Sequence, residues 1–206
     1  VSLKGGEAKT KPMKGTRPRG HDEASDRAMA EELAGSVKDK AENLMIVDLL
    51  RNDLSRVAEP GSVRVDDPFA VESYPTVHQM VSAVRARLKP DEGAIDLVRA
   101  LFPCGSITGA PKIRAMELID TVERDPRGPY CGAIGYLGAD GNMDSAIAIR
   151  TMTVKGRRVT FQAGGGIVAD SDPASEYEET LAKARDMRAA AGTSDTKASL
   201  LEGESA

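Results

Sequence analysis

An α+β fold, with a mainly antiparallel sheet and flanking helices, is predicted by three observations. Short β-branched runs separated by tight turns recur between residues 131 and 163, as in a meander of antiparallel strands. Apolar residues recur at steps of three and four between Val37 and Val57, the signature of a helix with one buried face. The regular strand–helix alternation that a parallel sheet needs is missing.

In chain order, Val1 to Leu3 reads as a short edge strand running into a turn at Gly5-Gly6. Residues 11–20 read as a basic loop, since Pro12 and Pro18 exclude a helix. Residues 22–57 read as helical, in two pieces broken near Gly35, with Val37, Ala41, Leu44, Val47, Leu50, Leu54 and Val57 on the buried face. Pro60-Gly61 ends that region, and 62–65, 71–74 and 76–84 read as extended. An amphipathic helix over 94–102 leads to the loop 103–110, and Pro111 suits the first turn of a helix reaching Val122. Cys131 to Leu137, Ser145 to Val154 and Arg158 to Ala163 read as three antiparallel strands turning at 139–142 and at Gly156. After Gly164-Gly165-Gly166, Asp172-Pro173 starts a helix to about Ala190, with Asp as N-cap and Pro in the first turn. Residues 1–190 are taken as one folded portion and 191–206, poor in apolar residues, as a flexible tail or linker.

Composition narrows the function. Of the 206 residues, 40% are hydrophobic and 29% charged, an ordinary globular balance. With no Trp, three Phe and four Tyr, the core must rest on aliphatic side chains and Met. A net charge of −4 argues against nucleic acid, because no basic excess exists to neutralise phosphates. No apolar run approaches the roughly 20 residues of a membrane span. Cys104 and Cys131 form no CxxC pair, so disulfides and structural zinc are not expected; both are read as buried thiols in a cytosolic setting. The chain opens on Val rather than Met, which suggests a portion of a longer protein.

Several groups could carry chemistry. Glu176, Glu179 and Lys183 fall on one helical stripe and could set a magnesium ligand beside a cation; an ordinary solvated Glu–Lys pair gives the same spacing. Asp39 and Glu42 share a face at the border of an apolar stretch and could hold a hard cation, or form a plain surface charge pair. Gly164, Gly165 and Gly166 allow close backbone approach to an anion. Ser106 lies in a small-residue segment that suits hydroxyl or carboxylate recognition or helix capping, and Arg150 could fork onto a carboxylate or merely end a strand. His78 could donate a proton to a leaving group or be a hydrogen-bonded core histidine. Lys14, between Met13 and Gly15 with Arg17 and Arg19 nearby, could offer a nucleophilic amine or be one surface lysine among several.

The order of these stretches is more specific than any one of them. Pro12-Met13-Lys14-Gly15-Thr16, the run from Lys40 to Leu54, Thr76-Val77-His78-Gln79, Gly105 to Lys112, Asp144 to Arg150 and Ala163 to Ile167 together resemble the chorismate-utilising enzymes, from Val1 to about Ala190. That family includes anthranilate, aminodeoxychorismate, isochorismate and salicylate synthases. The resemblance implies the two-lobed chorismate-binding, anthranilate synthase-like fold. It implies Glu42 and Glu179 as magnesium ligands, with Asp39 and Glu176 as further acidic residues of the metal site. It implies Gly15 and Thr16 lining the site, His78 near the C4 hydroxyl and Ser106 near the ring. Tyr130, Arg150 and Gly164 would hold the pyruvyl carboxylate, and Gly166 and Lys183 would flank the ring carboxylate. Chorismate is a dianion, and a metal, cations and a glycine nest suit it.

Lys14 bears on the branch. Relatives that form anthranilate, isochorismate or salicylate resemble one another in a small residue here, whereas the aminodeoxychorismate branch resembles Pro-Ile-Lys-Gly-Thr. The resemblance therefore implies attack by Lys14 at C2 and loss of the C4 hydroxyl, followed by addition of ammonia at C4 for 4-aminobenzoate and folate synthesis. The ammonia would come from a glutamine amidotransferase subunit. Anthranilate synthesis, or a remnant that binds chorismate without catalysis, is the alternative. Family members are roughly twice as long, and a glutamate acting as general acid/base precedes the Lys14 loop in them. These 206 residues alone are thus expected to be inactive and to leave an exposed sheet edge.

Overall fold

A computed structural model describes residues 1–168 and 171–192, so residues 193–206, most of the expected tail, lie outside the described residues. The chain divides into two compact units. The first comprises Val1–Arg124 and Ala133–Ile147, the second Asp125–Gly132 and the chain from Ala148 onward. The architecture is α+β with antiparallel strand pairing throughout the described sheets, as predicted.

In the first unit, β1 (Ser2–Lys4) turns through Gly5-Gly6 into β2 (Glu7–Thr10). β3 (Met13–Pro18) follows, where a loop was expected. Its two prolines are tolerated because Pro12 precedes the strand and Pro18 closes it. Two helices come next, α1 (Glu23–Gly35) and α2 (Val37–Ser55), divided where the sequence places the break. Asp22 caps α1, and Ser36 ends α1 and caps α2 by accepting from the Asp39 amide. A hairpin of β4 (Arg64–Ser73) and β5 (Val77–Arg87) follows; β4 unites two pieces that the sequence separates, with a register shift where Asp67 and Phe69 hold positive φ. α3 (Ala94–Leu101), the single turn α4 (Gly105–Thr108) and α5 (Lys112–Val122) lead out of the unit. It is rejoined by β6 (Ala133–Leu137) and β7 (Met143–Ile147). The sheet runs β3-β5-β2-β1-β7-β6, with β4 on the other side of β5. All five residues of β6, at the end of that strand order, are exposed.

The core lies where α2 and α3 cover the sheet. Ile46, Val47, Leu50 and Leu54 of α2 and Leu97 and Leu101 of α3 pack with Leu3, Ala8, Val84 and Ala86 of the strands. The face predicted for α2 holds in its C-terminal half and fails in its N-terminal half. Val37 is 81% and Leu44 49% exposed, while Asn43 is fully buried. A buried amide is tolerated only with partners. Asn43 has them: Ser82 Oγ on β5 donates to its Oδ1 at 2.6 Å, and its Nδ2 donates to the Met80 carbonyl at 3.5 Å.

A polar network ties α1 to the sheet. Arg19 forks onto Asp26 at 2.7 and 2.6 Å, the Gly20 amide donates to Asp26 at 2.9 Å, and His78 Nε2 lies 2.9 Å from the same carboxylate. Gly20 must be glycine, since a Cβ there would come within 2.1 Å of the Asp26 backbone. The Arg19 guanidinium, helped by the Gly20 and His78 bonds, holds the Asp26 carboxyl well below the usual carboxylate range.

The second unit contains the hairpin β8 (Met152–Lys155) and β9 (Arg158–Phe161) and the helix α6 (Pro173–Ala190). The strand predicted from Ser145 to Val154 is two strands, and β8 and β9 form their own sheet. The chain leaves the strand path after Ile147, and Arg150 adopts φ 52°. Asp172 caps α6 through the Ser175 amide, with Pro173 in the first turn, as its sequence predicts. Both cysteines are half-buried rather than buried.

Two outcomes follow for a protein carrying this chain. Leu54→Ala, at a side chain with no exposure, should cost about 2–5 kcal/mol in denaturant unfolding; a loss under about 1 kcal/mol would contradict the core assignment. Because the folded-state pKa of Asp26 is depressed, its stabilisation is complete above the unfolded value and lost as pH falls through the folded one. The gap in melting temperature between wild type and Asp26→Asn should therefore be full at neutral pH and narrow below about pH 4. A gap that stays constant down to acid would show that the ionised carboxylate is not what matters.

Candidate functional site

The first unit gathers Lys14, Gly15, Thr16, Asp39 and Glu42 where β3 crosses α2. The register between β3 and β5 explains how. Met13 pairs with Val81 and Thr16 with Gln79, so three steps on β3 oppose two on β5. The extra residue makes a bulge at Lys14-Gly15, and Gly15 supplies φ 83° for it. A Cβ at Gly15 would also lie 2.9 Å from the Asp39 side chain, so glycine lets the bulge approach α2. Lys14 Nζ is 3.6 Å from Glu42 Oε2, and both side chains are about a third exposed (33% and 39%). Sequence proximity suggested cations around Lys14, but their partners lie elsewhere. Arg17 forks onto Glu32 at 2.9 Å and reaches Asp39 at 3.1 Å, and Arg19 belongs to Asp26. Asp39 is thus held by a guanidinium.

His78 is 1% exposed on β5, with Nδ1 2.8 Å from Ser73 Oγ and Nε2 2.9 Å from Asp26. The ionised Asp26 only accepts, so Nε2–H donates to it; in the neutral ring Nδ1 then accepts from Ser73. Both nitrogens thus have protein partners in this structure. Ser106 lies in α4, its Oγ 3.0 Å from Cys104 Sγ.

The second unit gathers another group. Lys183 pairs with Glu179 one turn earlier on α6, and its Nζ donates to the Gly164 carbonyl at 3.3 Å. Glu176 accepts from Ser171 Oγ at 2.7 Å. The glycines give the backbone room: a Cβ at Gly164 would be 3.2 Å from the Tyr130 hydroxyl, and one at Gly165 3.0 Å from Glu176 Oε2. Gly166 has open space around its Cβ position. Arg150 is exposed, and its positive φ is a costly conformation for a residue with a side chain.

Asp39 and Glu42 in the first unit, and separately Glu176 and Glu179 in the second, offer oxygen donors of the kind magnesium takes, with water and substrate oxygens completing its shell. Among the described residues no group of three or more His, Cys, Asp or Glu could hold a metal ion. Sequence reasoning missed the partners Arg17–Glu32, Asp26–His78 and Asp53–Lys112. One signal was available: Asp53 falls between Leu50 and Leu54 on the apolar stripe of α2, where a carboxylate requires a buried counter-ion.

Among the described residues no helix is long and apolar enough to cross a membrane. A family profile described as chorismate binding enzyme matches residues 1–189. Aminodeoxychorismate synthase component 1 of Klebsiella aerogenes is 57% identical over 183 residues, which are 89% of this chain and 41% of that protein. Anthranilate synthase component 1 of Spirochaeta aurantia is 51% identical over 185 residues, covering 90% of this chain and 38% of that protein. The chain thus spans about two fifths of the length of these relatives. Among solved structures, anthranilate synthase component I from Streptococcus pneumoniae superposes with a TM-score of 0.81 at 45% identity, over 91% of this chain and 41% of that one. The isochorismate synthase MenF of Escherichia coli shares the fold, with a TM-score of 0.82 at 24% identity over 92% of this chain and 43% of that one. By its sequence and its fold, the chain belongs to the chorismate binding enzymes.

Proposed function

We propose that a protein carrying this chain replaces the C4 hydroxyl of chorismate with ammonia, giving 4-amino-4-deoxychorismate. The observation that carries this reading is Lys14: an amine about a third exposed on a β-bulge, held 3.6 Å from Glu42. The bulge aims the amine out of the strand's regular alternation, and Gly15 keeps the approach to α2 open. The 57% identity to an aminodeoxychorismate synthase component supports the same branch.

In the proposed reaction Lys14 Nζ attacks C2, both ring double bonds shift toward C4 and the C4 hydroxyl departs as water after protonation. Ammonia then adds at C4, both double bonds shift back and the Lys14 amine leaves C2 with its bonding pair. Glu42 and Glu179 would hold magnesium, with Asp39 and Glu176 as further acidic residues of its site. When bound, the metal would supply positive charge at the ring carboxylate and the departing hydroxyl. Thr16 and Ser106 offer hydroxyls to the ring substituents. Tyr130, Arg150 and Gly164 would bind the pyruvyl carboxylate, with Lys183 and Gly166 at the ring carboxylate. His78 would act near the C4 hydroxyl, as a donor to the departing group. The ammonia is assigned to a glutamine amidotransferase partner, the setting to the cytosol, and the product to 4-aminobenzoate and folate synthesis.

The test uses a protein of the relatives' full length, supplied with chorismate, ammonia and magnesium. Aminodeoxychorismate should form, and Lys14→Ala should lower its rate by at least about 100-fold. Glu42→Ala and Glu179→Ala should abolish the magnesium-dependent turnover. Anthranilate as sole product would refute the branch and favour the activity named for the Spirochaeta aurantia relative. Wild-type rates in all three variants would refute the residue assignments.

A further inference from the structure

The Asp53–Lys112 ion pair has no role in the reaction proposed above, and its placement is unusual. Lys112 Nζ is 2.7 Å from Asp53 Oδ2, with Asp53 5% and Lys112 19% exposed in their side chains. Each charge stands at the unfavourable end of its own helix. Asp53 lies in the last turn of α2, where the helix presents negative partial charge, and Lys112 opens α5, where the charge is positive. Neither helix favours its own charge, and burial disfavours both. What compensates them is each other, across 59 positions of sequence.

The segment between the two helices is what the pair controls. α4 lies against α2, with Gly105 so near Leu49 that a Cβ would touch it at 3.4 Å. Ser106 is turned toward Cys104, Thr108 Oγ1 donates to the Cys104 carbonyl, and the Gly109 amide donates to the Gly105 carbonyl. These bonds are local: they shape the turn but do not attach it to the rest of the molecule. The Asp53–Lys112 pair closes the far end by pinning the start of α5 to α2.

We infer that Asp53 and Lys112 are positioning residues, a strut that seats the Gly105–Thr108 turn and its Ser106 hydroxyl for binding of the chorismate ring. The inference rests on the function proposed above. It assigns the strut to substrate binding rather than to the covalent step, because neither side chain is placed on the reacting atoms.

The test compares wild type, Lys112→Met, Lys112→Arg and the neutral double variant Asp53→Asn/Lys112→Met at full length, with chorismate, ammonia and magnesium. The double variant leaves no lone buried charge and is the better-folding arm. Lys112→Met and the double variant should raise KM for chorismate by about tenfold with kcat changed less than about twofold. The double should be no worse than the single, and Lys112→Arg should recover most of the loss. An unchanged KM in folded variants, or a fall in kcat alone, overturns the inference. So does a double variant that is unfolded at the assay temperature, since the pair would then serve stability. Wild-type protein that consumes no chorismate overturns the proposed function and this inference together, whereas normal wild-type turnover with unaffected variants overturns this inference alone.

Discussion

The seating of α2 on β5 is the constraint on which the rest of the first unit depends. Its rotation about its own axis is set by two kinds of contact. Ile46, Val47, Leu50 and Leu54 enter the core, and Asn43 inserts a fully buried amide that Ser82 and the Met80 carbonyl satisfy. The apolar contacts alone would accept a modest rotation, because hydrophobic burial is non-directional. The Asn43–Ser82 bond would not, because its geometry is directional and leaving either group unpaired in the interior is costly. Glu42 is the next residue back along the helix and Asp39 one turn earlier, so the orientation of both carboxylates follows from a hydrogen bond that neither makes. Leu49 and Asp53, which meet α4 and α5, are fixed by the same rotation.

Charge is distributed in pairs around this helix. Glu42 faces Lys14, Asp39 faces Arg17, and Asp53 faces Lys112. Their exposures differ in a way that separates structural from available groups. Asp53 is 5% and Asp39 14% exposed in their side chains, and their cations stay within 3.1 Å. Glu42 is 39% exposed and its contact is the longest of the three. A loose, solvated pair is worth little in water and costs little to exchange for another partner, whereas a buried one cannot be broken cheaply. Glu42 and Lys14 are therefore the pair best able to take new partners.

Local signals made much of this fold legible in the sequence. The break between α1 and α2 follows from Gly35-Ser36, and the start of α6 from Asp172-Pro173, because capping is decided within a few residues. What the sequence concealed was non-local. β3 reads as a loop because its prolines and glycine signal turns, yet β5 provides the pairing and the bulge absorbs the extra residue. Asn43 lies off the apolar stripe that the sequence marks on α2, and its partner Ser82 comes from distant β5. Arg150 reads as the end of a continuous strand, since nothing local announces its positive φ. The site divides in the same way. Lys14, Gly15, Asp39 and Glu42 could be grouped through a resemblance, but the partners that hold Asp39 and His78 required the folded chain.

Overall identity and branch chemistry report on different things. The identities to an aminodeoxychorismate synthase component and to an anthranilate synthase component are 57% and 51%, a narrow difference over nearly the same length. Averages over about 180 residues count every position alike, including the many that build this fold: the α2 stripe, the strands it covers, the capped helix starts and the glycines at close approaches. Such positions build the common fold, which the isochorismate synthase with 24% identity also shares. Discrimination between nucleophiles needs far less: one amine, one glycine to shape the bulge beneath it, and one carboxylate within reach. Lys14 meets that condition geometrically, with Gly15 at positive φ and Glu42 at 3.6 Å. On the proposed reading the branch rests on a few side chains at one irregularity of the sheet, where β3 carries one residue more than β5.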